Sequence, residues 1–123
     1  MAQVRYLVSN VDDAVAFYTT RLSFKLERQA GPAMAILSRG DLTLWVAGPS
    51  ASAARPMPDG RRPEPGGWNR FVIEVADLAA IVGELRGQGV KFRNEIVTGP
   101  GGQQILCEDP SGNVVELFQP ARS

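Results

Sequence analysis

The chain has 123 residues, and its 13 Lys and Arg balance its 13 Asp and Glu. That length holds one domain with a real core, and zero net charge leaves no field to favour nucleic acid or an anionic membrane. The lack of histidine, with only one cysteine, excludes Ser-His-Asp and Cys-His catalysis, a His-ligated metal and an internal disulfide.

Residues 3–8 alternate, with Val4, Tyr6 and Val8 on one side and Gln3, Arg5 and Leu7 on the other, which is a strand pattern. Asn10 is a good helix cap with Asp12 and Asp13 in the first turn. Val11, Ala14, Val15, Tyr18 and Leu22 then recur at helical spacing. Strands are expected over 24–29, 34–37 and 42–47, broken by Gly31-Pro32 and by Arg39-Gly40-Asp41. Residues 48–67 are rich in Pro, Gly, Ser and Ala and carry Arg55, Arg61 and Arg62. They read as a connection between halves, with a ligand lid as the alternative.

From Trp68 the first pattern returns. Phe71, Ile73 and Val75 face one way and Arg70, Val72 and Glu74 the other. Asp77 caps a helix carrying Leu78, Ile81, Val82 and Leu85, which Gly87 and Gly89 end. Strands are expected over 91–97 and 103–107. Cys107 lies within the second and reads as a structural thiol. Asp109-Pro110-Ser111-Gly112-Asn113 is a turn, and the chain closes on a strand, 114–118. The two halves align at one constant offset from Val4 opposite Phe71 to Tyr18 opposite Leu85. Further on, residues 40–44 fall opposite 112–116. Each half is therefore a strand, a helix and three strands, and a sheet with one helix leaves its other face bare.

Glu116 shares a face with Val114 and Phe118. A carboxylate on an apolar strand face is costly to bury unless it is paired. It must meet water, meet a cation or do chemistry.

This arrangement resembles the vicinal oxygen chelate superfamily, which includes glyoxalase I, bleomycin-resistance proteins and extradiol dioxygenases. The residues that carry the resemblance are Val8-Ser9-Asn10-Val11, Phe17-Tyr18 and Leu22-Ser23-Phe24 in the first half. In the second they are Val75-Ala76-Asp77-Leu78, Gly89-Val90-Lys91-Phe92 and Asp109-Pro110-Ser111-Gly112-Asn113 with Val115-Glu116-Leu117. The resemblance implies an α+β fold of two βαβββ modules, forming a curved mixed sheet around a concave pocket with the helices outside, and usually a homodimer. Module one would span 1–47 and module two 68–120, within one domain. Four positions that hold the metal in metal-dependent members fall on Gln3, Leu44, Arg70 and Glu116. Of these only Glu116 is a good metal ligand, so neither a metal nor another cofactor is expected.

In place of the metal, Arg70 is expected to pair with Glu116, because a guanidinium stays charged and fits a carboxylate. Arg5 and Glu74 would extend the pair into a polar cluster. Leu7, Leu42, Leu44, Val72, Val114 and Phe118 would line the pocket, with Trp45 and Trp68 at its rim, and Gln3 is a further candidate for binding the ligand. The favoured function is metal-independent binding of an aromatic or amphipathic small molecule, such as an antibiotic. The alternative is a metal-independent enzyme with Glu116 as general base and Arg70 or Arg5 stabilising an oxyanion. A carboxylate tightly held by a guanidinium is a poor base, which favours binding. No apolar run is long enough to span a membrane and the N-terminus lacks a signal pattern, so a cytoplasmic location is expected.

Overall fold

The computed structural model of the protein describes residues 2–121. One element order occurs twice. The first run is β1 (Val4–Leu7), α1 (Val11–Arg21), β2 (Lys25–Ala30), β3 (Met34–Arg39) and β4 (Leu42–Ala47). The second is β5 (Phe71–Glu74), α2 (Leu78–Gly87), β6 (Val97–Gly99), β7 (Gly102–Glu108) and β8 (Val114–Pro120). Each run builds a four-stranded mixed sheet, ordered β1-β4-β3-β2 and β5-β8-β7-β6. The first and last strands of each run pair in parallel and the other neighbours antiparallel. Neither sheet closes into a barrel. The α+β expectation of two similar βαβββ modules holds. None of the described helices is long and apolar enough to cross a membrane.

By contacts, the residues up to Gly66 together with Pro110–Asn113 form one compact unit, and Gly67–Asp109 with the residues from Val114 form the other. In the first unit, Asn10 caps α1 by accepting a 2.9 Å hydrogen bond from the Asp13 amide. The helix lays Val11, Ala14, Phe17 and Tyr18 against the sheet face that carries Ala35, Leu37, Leu44 and Val46, and all eight are buried. Tyr18 sits edge-on to both Phe17 and Phe24, with ring centroids 5.1 and 5.3 Å apart, a preferred aromatic geometry. Gly48 closes this unit's sheet. Its amide donates to the Ala33 carbonyl, and a Cβ there would lie 2.6 Å from the Pro32 carbonyl oxygen. A single 3-10 turn, Ser52–Ala54, interrupts the connection that follows.

In the second unit, Asp77 caps α2 through the Ala80 amide. The helix ends in a Schellman motif, in which Val90 N–H donates to the Leu85 carbonyl and Gly89 N–H to that of Arg86. Gly89 takes the left-handed φ of +83° that this ending requires. Leu78, Val82 and Leu85 cover Phe71, Ile73, Ile105, Cys107, Val115 and Leu117.

The strand expected over 91–97 is not formed as one element; the named strand is Val97–Gly99. Residues 91–93 make one isolated antiparallel bridge to β7, with Phe92 opposite Cys107. Glu108 N–H donates to the Lys91 carbonyl and Arg93 N–H to that of Leu106. The Asn94 side chain then accepts from Leu106 N–H at 3.0 Å. A side-chain acceptor thus stands where a strand would present a carbonyl, and the ladder stops there.

Cys107 is fully buried on the helix side of its sheet. Burial pushes its thiol up from the ordinary 9.0 to about 12. The native protein should therefore resist Ellman's reagent at pH 8 and react once urea unfolds it. Between pH 9.0 and about 12 the unfolded thiol ionises while the folded one stays neutral. The thiol's contribution to stability is therefore complete below that window and lost as pH rises through it. Thermal melts from pH 8 upward would show the decline, and Cys107→Ala would remove this component.

Candidate functional site

Each unit has one sheet face that carries no helix, and the chemistry-bearing side chains sit on those faces. In the second unit Arg70, one residue before β5, reaches the middle of β8. Its Nε and Nη2 lie 3.1 and 3.0 Å from the same oxygen of Glu116, Oε1. The Glu116 side chain is 10% exposed and that of Arg70 30%. Oε2 of Glu116 takes no hydrogen bond from any described residue. Arg70 also donates through Nη1 to the Trp68 carbonyl at 3.3 Å. Val72 pairs across the sheet with Glu116 and is half exposed.

Next to this pair stands a second arginine that the sequence reading missed. Arg93 donates through Nε to Glu108 at 2.8 Å and through Nη1 to the Gly67 carbonyl at 2.6 Å. Its guanidinium lies over the Trp68 ring, 4.4 Å from the centroid. Trp68 is 67% exposed, yet its ring is held by Arg93 and its carbonyl by Arg70. The only available signal was an arginine beside an aromatic-bearing loop, and the assumed strand over 91–97 hid it.

The first unit repeats the geometry with other chemistry. Gln3, one residue before β1, accepts through Oε1 a hydrogen bond from Trp45 Nε1 in the middle of β4. Arg5 lies over the Trp45 ring at 4.9 Å. A pocket of about 250 Å³ opens beside them. Its walls include Arg5, Met34, Trp45 and Ala47, closed by residues 50–53 of the connection.

This repeat corrects the alignment of the last strands. Val4 pairs with Leu44 as Phe71 pairs with Val115. Structurally, therefore, Leu44 matches Val115, and Trp45 matches Glu116. The sequence matched Gly40-Asp41 to Gly112-Asn113, but only two residues separate β3 from β4 while five separate β7 from β8. The difference in turn length shifts the register by one residue, and one residue changes the face. Leu44 is fully buried on the helix side and lines no ligand site, and Leu42 shares its face. Val114 is on the same face as Glu116 but is itself fully buried, so it offers no surface to a ligand. Leu7 and Phe118 are half-buried. The extended polar cluster does not form: Arg5 engages Trp45, and Glu74 is exposed and makes no ion pair with any described residue.

The donor set does not fit a divalent metal. Leu44 has no donor atom, and the Gln3 amide oxygen is engaged by Trp45. A guanidinium nitrogen 3.0 Å from the Glu116 carboxylate puts a permanent positive charge where a cation would bind. Among the described residues, no three Cys, Asp or Glu side chains cluster as ligands would.

Residues 1–117 match the Glyoxalase/Bleomycin resistance protein/Dioxygenase superfamily. No curated protein matches the chain in sequence. Solved structures match it in fold. A lactoylglutathione lyase from Agrobacterium tumefaciens superposes with a TM-score of 0.73 at 17% identity, covering 97% of this chain and 92% of its own. A glyoxalase/bleomycin resistance protein/dioxygenase from Nocardioides gives 0.74 at 19% identity, covering 100% of this chain and 85% of its own. TnmS3, an antibiotic binding protein from Streptomyces sp. CB03234, gives 0.69 at 24% identity, covering 98% of both chains.

Proposed function

The chain belongs to the Glyoxalase/Bleomycin resistance protein/Dioxygenase superfamily, and from that premise we propose that it binds an aromatic small molecule, such as an antibiotic, without a metal and without altering it. The observation that carries this reading is the Arg70–Glu116 pair. The carboxylate best placed to hold a metal is neutralised by a guanidinium instead, and binding needs only shape and a few hydrogen bonds. The pocket walled by Trp45 and Met34, within the first unit, supplies apolar surface for a ring. The likeness to an antibiotic binding protein agrees with this reading. A single domain with modules 1–47 and 68–120, assembled as a cytoplasmic homodimer, is part of the same proposal.

Native mass spectrometry of the purified protein with a panel of aromatic natural products tests it. The expected result is a complex whose ligand mass is unchanged after hours at 25 °C. Oε2 of Glu116, which no described residue engages, supports one second reading: a general base in a metal-independent enzyme. That reading requires a product of altered mass that disappears in Glu116→Gln, whereas sequestration leaves ligand mass unchanged in both proteins.

A further inference from the structure

We propose that the pocket of the first unit selects aromatic acids, with Arg5 reading the carboxylate. This rests on the small-molecule-binding reading above and adds the ligand's charge to it. Arg5 pairs with Trp45, Trp45 with Ile36, and Ile36 with Arg28, so these four side chains form one row across the helix-free face. The adjacent row is Leu7, Ala47, Met34 and Ala30, entirely apolar. The pocket lies where these rows meet the connection, and no Asp or Glu lines it.

Arg5 differs from the arginines of the second unit. Arg70, Arg86 and Arg93 each hold a carboxylate at 2.6 to 3.0 Å. Arg5 makes no ion pair with any described residue, and its contact is the Trp45 ring. A cation–π contact uses the charge of the guanidinium and none of its N–H donors, and no described residue takes a hydrogen bond from them. They remain available for a bidentate bond to a carboxylate. Trp45 is itself fixed, because its indole N–H donates to Gln3. The site is thus an apolar floor, an oriented aromatic wall and one uncompensated cation with a free fork. About 250 Å³ suits one or two fused rings. A planar aromatic carboxylate satisfies all three features, whereas a cationic ligand would meet Arg5 with like charge.

Calorimetric titration with 1-naphthoate and its uncharged isostere 1-naphthalenemethanol tests the inference. Naphthoate should bind the native protein at least about tenfold more tightly than the alcohol, the scale expected for a charge-assisted bidentate contact. Arg5→Gln should remove that advantage, so that the variant binds naphthoate no more tightly than it binds the alcohol. Trp45→Leu should weaken both probes. Arg86→Gln, which removes the same charge from the other unit, should weaken neither. Equal affinity for the two probes, or an Arg5→Gln effect that Arg86→Gln reproduces, overturns acid selection but leaves aromatic binding standing. Failure of both probes to bind overturns acid selection and counts against the binding function itself.

Discussion

Arg70→Met should lower folding stability by about 2 kcal/mol, and adding Glu116→Leu should restore most of the loss. Removing one partner of a buried ion pair costs roughly 3–5 kcal/mol, because the other charge is left in a poorly solvating site. Glu116 is in such a site, but Arg70 is 30% exposed. Water therefore screens part of the interaction, which brings the expected cost below the buried range. The double variant removes the stranded charge and extends the apolar surface of β8, and replacements of this kind are often close to neutral. Urea denaturation of the four proteins of the cycle measures the coupling. If Arg70→Met alone costs nothing, the pair is an ordinary solvated contact and Arg70 does not stand in for a cation at Glu116.

Asn113→Ala should cost about 3 kcal/mol. Asn113 is 4% exposed and is used from both ends. Its Nδ2 donates to the Leu7 carbonyl at 2.7 Å, and its Oδ1 accepts from Gly66 N–H at 2.8 Å. Ser111, in the same turn, accepts from Ser9 N–H at 2.8 Å. Alanine would leave the Leu7 and Gly66 backbone groups without these partners, and a buried polar group left unsatisfied costs about 1–3 kcal/mol. Asn113→Asp provides the sharper signature. It keeps the acceptor but points a carboxylate oxygen at the Leu7 carbonyl at neutral pH. Protonation restores a donor, so this variant should gain stability, relative to the native protein, as pH falls through the carboxylate range. A loss below about 0.5 kcal/mol for Asn113→Ala would mean that water replaces both bonds.

Much of this was legible in the residues, for physical reasons that can be named. Asn10 and Asp77 identify the helix starts because a short polar acceptor before an apolar periodic run has one good use. Period-two alternation placed Arg5 and Arg70 on the faces opposite Val4 and Phe71. Glu116 stood out because an acid on an apolar strand face demands a partner, and Arg70 lay on a matching face.

The failures have equally specific causes. Leu44 was assigned by matching Gly40-Asp41 to Gly112-Asn113, but the two turns differ in length and the last strands are one residue out of step. Residues 91–97 had strand composition, but Asn94 diverts the ladder. The face of β3 that carries Met34 and Ile36 was invisible because Ala35 and Leu37 between them are also apolar, so alternation carries no signal. The separation of Arg5 from the Arg70–Glu116 chemistry depends on its stacking over Trp45, which no spacing rule encodes.

The claim that a guanidinium stands where a metal would be bound is tested most directly by metal analysis of protein purified without chelators, before and after incubation with zinc, manganese and iron(II). A metal content well below one ion per chain in every sample, together with an affinity for 1-naphthoate that EDTA does not change, is the predicted result. One tightly held ion per chain, lost in Glu116→Gln and needed for ligand binding, would contradict it.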